Sequence, residues 1–242
     1  MTAALAPPRA LAFDVFGTVV DWRSGVARES TAFLSRIGRA DIDPATFADA
    51  WRDRYGPSKA SVRDDGRAFV VLDVLHREML VDTLAGHGID AATLAPALID
   101  DWSTAWHRLD PWPDAVAGLA RLRTRFPVVT LSNANVALMV ALSRHGGLSW
   151  DAILGAEFSR TYKPAPETYR DAARALGLAP AELCLVAAHH SDLAGARACG
   201  LQTAYIDRPM EYGGARAPDA DDRQRWDYDT AALTTLADRL GC

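Results

Sequence analysis

Short runs of apolar residues recur along the chain, and apolar positions at helical spacing follow them. The runs cover residues 10–16, 128–132, 152–156, 183–188 and 203–206. Their length and flanking turn residues mark them as buried β-strands. Helical periodicity fills residues 115–125, 136–145, 166–176 and 193–199, and a last helix is expected over 231–240. Strand alternating with helix predicts an α/β fold, with a parallel sheet flanked by helices and right-handed crossovers. The later strands sit about 20 to 30 residues apart, the spacing that such crossovers require.

The first and second runs are separated by far more chain than one crossover helix needs. Residues from about 20 to 110 carry a helical pattern, with Trp51, Phe69, Leu72, Leu75 and Leu80 among the apolar positions. This predicts a helical domain over 20–109 inserted into a core made of 1–19 and 110–242. The stretch 208–227 is rich in Pro, Gly and Asp and is expected to be a surface loop.

Composition narrows the classes of function. Hydrophobic residues at 49% and charged residues at 24% fit a globular chain. The net charge of -5 and the lack of a basic cluster among aromatics argue against a nucleic-acid partner. No apolar stretch has the length of a membrane span. The N-terminus lacks a basic segment followed by a long apolar one, so no export signal and a cytoplasmic location are expected. Cys184, Cys199 and Cys242 show no metal-ligand spacing and fit reduced thiols.

In an open parallel sheet, ligands bind at the carboxyl ends of strands near the switch in strand order. The predicted strand ends carry Asp14, the pair Ser132 and Asn133, Lys163, and the run His189, His190, Ser191, Asp192. A carboxylate held ionised by a nearby lysine suits nucleophilic catalysis. Gly17 allows a tight turn beside Asp14, and Ser132 and Asn133 offer donors to an anion. Each residue also has a plain structural reading. Asp14 is then a turn residue, Ser132 and Asn133 cap the next helix, Lys163 is a surface charge, and Asp192 is a helix N-cap.

Taken together, FDVFGT, LSN, YKP and the segment ending in SD resemble the four motifs of the haloacid dehalogenase superfamily, in that order along the chain. The resemblance implies a Rossmann-like core with an inserted helical cap of the C1 type. Phosphatases of that superfamily carry a second aspartate two residues after the nucleophile, to protonate the leaving alcohol. Here that position is Phe16. Phosphatases also hold Mg²⁺ with the nucleophile and acidic residues of the fourth motif, where this chain has Asp192 as its only carboxylate. Both departures favour carbon–halogen cleavage without a metal or other cofactor. A Mg²⁺-dependent phosphatase or a phosphonate-cleaving enzyme is the alternative.

The pattern is similar to the type II subgroup, the L-2-haloacid dehalogenases, which act on small haloacids and are usually dimeric. The resemblance implies a homodimer and a set of roles. Asp14 attacks, Arg52 and Asn133 cradle the halide, and Lys163 and Asp192 position the hydrolytic water. Ser132 and backbone N–H groups near Val15 hold the substrate carboxylate, while Phe16, Thr18 and Tyr169 match further site positions. Relatives carry tyrosine, serine and asparagine where this chain has Phe16, Ala187 and His189. His189 is therefore expected to bond Asp192 or the hydrolytic water, or else to be structural, with His190 less involved.

Overall fold

The computed structural model describes residues 6–242; the first five residues, on which the reading of the N-terminus partly rests, lie outside it. The first strand, β1 (Ala10–Phe13), is buried throughout. Five helices then form the long insertion: α1 (Trp22–Arg36), α2 (Pro44–Asp53), α3 (Tyr55–Arg63), α4 (Leu72–Gly86) and α5 (Pro96–Ser103). Asp21 and Asp43 start the first two by accepting from Ser24 N and Thr46 N, with Pro44 in the first turn of α2. The remaining chain alternates as expected. It runs through α6 (Ala115–Leu122), β2 (Val128–Leu131), α7 (Val136–Gly146), β3 (Ala152–Leu154), α8 (Ala156–Ser159) and α9 (Pro166–Ala175). It closes with β4 (Leu183–Ala187), α10 (His190–Ala198), β5 (Gln202–Ile206), β6 (Tyr228–Thr230) and α11 (Leu233–Leu240).

The six strands are parallel, in the order β3-β2-β1-β4-β5-β6. Strand order reverses beside β1, so a crevice opens between the carboxyl ends of β1 and β4. Phe13 pairs with Val186 there, which brings the next residues of both strands to one edge. Apolar packing is continuous from the sheet (Phe13, Val186) through Trp22 and Trp106 to Trp51 and Leu80 in the helical insertion. The insertion is also tied down by polar contacts. Asn135 donates to Asp73 Oδ2 at 2.8 Å and accepts from Asp73 N at 3.2 Å.

Several expected boundaries move. β1 ends at Phe13 rather than residue 16, because Phe16 bridges to Val20 in the turn that follows. β6 has only three residues with an exposed Asp229 at its centre, so periodicity did not reveal it. Helix α10 starts at His190, which puts Asp192 in its first turn and makes His189 the N-cap residue. Neither Ser132 nor Asn133 caps α7; its N-cap is Asn135.

Helices α6 and α11 pack so closely that a Cβ on Gly118 would lie 2.4 Å from Leu233 Cβ. Gly118→Ala is therefore expected to destabilise the fold by about 1–3 kcal/mol through overpacking. Chemical denaturation followed by circular dichroism checks this, and an unchanged midpoint would refute the close approach.

Candidate active site

A cavity of about 450 Å³ opens at the β1/β4 crevice, lined by Asp14, Phe16, Asn133, Lys163, His189 and Asp192 from the sheet side. Arg52, Tyr55 and Lys59 line it from α2 and α3. At its floor the Lys163 ammonium lies 2.8 Å from Asp14 Oδ1 and 2.5 Å from Asp192 Oδ2. Asp14 is further fixed by its neighbours. Thr18 donates to Oδ2 at 2.8 Å, and Thr18 in turn accepts from Ala188 N at 2.9 Å. Tyr169 donates to Asp192 Oδ1 at 2.6 Å.

Burial alone would push the Asp14 carboxyl up, but the Lys163 and His189 charges outweigh it and hold Asp14 far below the usual carboxylate range. Lys163 responds in the opposite direction. Burial disfavours its charge, yet Asp14 and Asp192 raise it above an ordinary lysine. Burial and the Asp192 charge likewise raise the Tyr169 hydroxyl, so it stays a proton donor.

His189 departs from expectation. Its Nδ1 lies 3.1 Å from Asp14 Oδ2 and its Nε2 lies 2.9 Å from Glu211 Oε1, while Asp192 bonds Lys163 and Tyr169 instead. Burial opposes the charge on His189, but Glu211 and Asp14 together raise its pKa well above the usual value. The ring is thus an imidazolium between two carboxylates. His190 has a structural place, accepting from Trp226 Nε1 at 3.1 Å and stacking on Tyr205.

The other expected residues divide into two sets. Arg52, Asn133 and Phe16 face the cavity. Asn133 Oδ1 accepts from Lys163 N at 2.8 Å, which leaves its NH₂ group as the donor. Arg52 Nη1 is buried without a hydrogen-bond partner among the described residues, and the guanidinium lies 4.2 Å from the Tyr55 ring and 5.2 Å from the Trp22 ring. Thr18 and Tyr169 act on the two carboxylates and do not line the cavity. Val15 and Ser132, expected at the substrate carboxylate, do not line it either. Val15 is fully buried, and the Ser132 hydroxyl accepts from Ala134 N at 3.1 Å.

Glu211 is the residue that sequence reasoning missed. It lies in the stretch expected to be surface loop, yet it is 2% exposed and also accepts from Trp22 Nε1 at 3.0 Å. Gly17 makes room for it. Its φ is +84°, and a Cβ there would lie 2.0 Å from Glu211 Oε1. Tyr55 and Lys59 were missed as well. They lie on α3, past the helix break at Arg54 that separates them from Arg52 on α2, and no sequence pattern joined them to the site.

A dication at Asp14 would meet the Lys163 ammonium and the His189 imidazolium, both already bonded to that carboxylate. The residues do not fit a resident Mg²⁺.

A family model described as a haloacid dehalogenase-like hydrolase matches residues 8–200. The chain belongs to the haloacid dehalogenase-like hydrolases. This hydrolase is 41% identical to the solved defluorinating L-2-haloacid dehalogenase Rha0230, with a TM-score of 0.93 over 97% of this chain and 96% of that one. It is 30% identical to an (S)-2-haloacid dehalogenase of Xanthobacter autotrophicus, over 86% of this chain and 78% of the relative. A phosphoglycolate phosphatase of Neisseria gonorrhoeae is 27% identical, over 99% of this chain and 96% of the relative. No helix among the described residues is long and apolar enough to cross a membrane.

The His189 ion pairs stabilise the fold fully below the ordinary histidine value near 6.5, and that stabilisation is lost as pH rises through the raised value. Glu211→Gln removes one of its two anionic partners. The alkaline limb of the stability profile is expected to move down by about 1 to 3 pH units. Melting temperature against pH, with the His189 ring followed by NMR, checks this; an unmoved limb would show that Glu211 does not set the charge.

Proposed function

We propose that this hydrolase cleaves the carbon–halogen bond of small 2-haloalkanoic acids through an ester on Asp14, without a metal. The observation that carries the reading is Phe16 in the cavity beside a fully ionised Asp14. The site has a nucleophile but no acid at the position from which a phosphatase protonates its leaving alcohol, and halide needs no proton to leave. The unpartnered Arg52 Nη1 supports the reading, since with the Asn133 amide it supplies donors to a departing halide. Residues 20–109 act as a cap in this scheme, bringing Arg52 over a core of 1–19 and 110–242.

The two oxygens of Asp14 are not equivalent. Oδ1 has one donor, Lys163, whereas Oδ2 has both Thr18 and His189. Oδ1 keeps the freer lone pairs and attacks C2 from the face opposite the halogen, which leaves with the bonding pair. C2 is inverted and Oδ1 becomes the ester oxygen. Oδ2 is then the ester carbonyl, and its two donors are already aimed where charge develops. Water held by Asp192 and Lys163 attacks the carbonyl carbon and gives a proton to Asp192. Collapse of the adduct breaks the bond from that carbon to Oδ1, and the departing oxygen takes the proton to give the 2-hydroxy acid. The water oxygen stays on Asp14.

Halide release from chloroacetate, L-2-chloropropionate or fluoroacetate is expected with EDTA present, and Asp14→Asn should lower it on the order of 10⁴-fold. No release from any of them, with Mg²⁺-dependent turnover of phosphoglycolate instead, would overturn the reading.

His189→Leu removes a donor from Oδ2 and should slow ester hydrolysis by about 10²-fold or more. The alkylated enzyme would then accumulate and be visible as added mass on the Asp14 peptide. Loss of activity without that adduct would mean that His189 acts before the ester forms.

A further inference from the structure

Of the 26 Lys and Arg residues in the chain, only Lys59 and Lys163 are lysines, and both line the same cavity. Lys163 is committed to Asp14 and Asp192. Lys59 has no carboxylate partner among the described residues. Its ammonium lies 4.2 Å from the Tyr55 ring, on which the Arg52 guanidinium also sits at 4.2 Å. One aromatic ring therefore carries two cations, each worth attraction to its face but mutually repelling. Burial pushes the Lys59 ammonium down to about 7, and Arg52 and Lys163 add to the effect. Asp192 and Asp14 oppose it without reversing it.

A half-buried, unpaired ammonium of this kind is costly unless an anion arrives to join it. The proposed substrate brings two electron-rich ends, a halogen and a carboxylate. Arg52 Nη1 and Asn133 provide for the halogen. Of the groups expected at the carboxylate, Val15 and Ser132 do not line the cavity, and the Ser132 hydroxyl already accepts from Ala134 N. The geometry points to Lys59 as the residue that binds the substrate carboxylate, with Tyr55 holding its stem beside Arg52. This inference rests on the 2-haloacid reading and deepens it, since it makes a carboxylate next to the reacting carbon the feature that this cavity selects. Lys59 approaches from α3, so binding of the acid also draws α3 and the sheet edge to one ligand.

Calorimetric titration with D-lactate, the inverted product of L-2-chloropropionate, and separately with sodium bromide tests this without turnover. Lys59→Met is expected to weaken D-lactate binding about 10- to 100-fold, as loss of a charge-assisted contact does. Bromide binding should stay within about twofold, and Lys59→Arg should recover most of the lactate affinity. Unchanged lactate binding, or an equal loss for bromide, overturns the inference. A second measurement uses the native chain and survives a poorly folding variant. Acetic anhydride at neutral pH should acylate Lys59, read by peptide mass, and D-lactate should protect it while bromide does not. Failure of lactate to protect overturns the assignment. These binding results stand apart from the proposed reaction, whose own failure is read as absence of halide release from the unaltered enzyme.

Discussion

The Lys163 ammonium, held between Asp14 and Asp192, is the constraint around which the rest of the site is arranged. All three groups are at most 8% exposed, and charges so buried are tolerated only when every polar atom finds a partner. That requirement reaches far into the fold. Asp14 needs β1 in register with β4, Asp192 needs the first turn of α10, and Lys163 must be turned inward by its backbone bond to Asn133 after β2. Thr18 and Tyr169 complete the shell of donors on the two carboxylates. The same contacts that satisfy the buried charges keep Asp14 ionised at the cavity wall, so stability and the charge of this carboxylate have one origin.

Around this centre the cavity is sorted by charge. Carboxylates and their compensating cations occupy the sheet side, while Arg52 and Lys59 come from the helical insertion with Tyr55 between them. An anionic ligand is thus met by Arg52 and Lys59 on the side away from Asp14. This arrangement offsets the repulsion that an acid feels on approaching Asp14. His189 adds a positive charge directly on Asp14, and Glu211 keeps it there. The arrangement differs from what a phosphatase needs, in which a dication sits at the nucleophile and an acid stands where Phe16 packs against His76 and Trp106.

Legibility in the sequence followed the range of the interactions. Parallel strands buried on both faces write continuous apolar runs, so five of the six strands were visible, and the short polar β6 was not. Residues at strand ends were legible because strand ends in this kind of sheet form the binding edge. Asp14, Asn133, Lys163 and Asp192 were found in that way, and the structure brings them together. Arg52 came from the family resemblance, since nothing local separates it from Arg54 or other helix arginines.

What the chain determined by itself was the alternation of strands and helices, the long helical insertion, and Phe16 at the position where phosphatases of the superfamily carry an acid. The tertiary structure alone decided what Thr18, Tyr169, Ser132 and His189 do. A hydroxyl or an imidazole serves a carboxylate, a backbone amide or a ligand equally well, and only distance chooses among them. It also decided Glu211, a carboxylate in a polar stretch of Pro and Gly that folds back 189 residues in sequence to meet Trp22. Charge pairing across such separations leaves no periodic trace in a sequence, because its energy depends on burial and contact that exist only once the chain has folded.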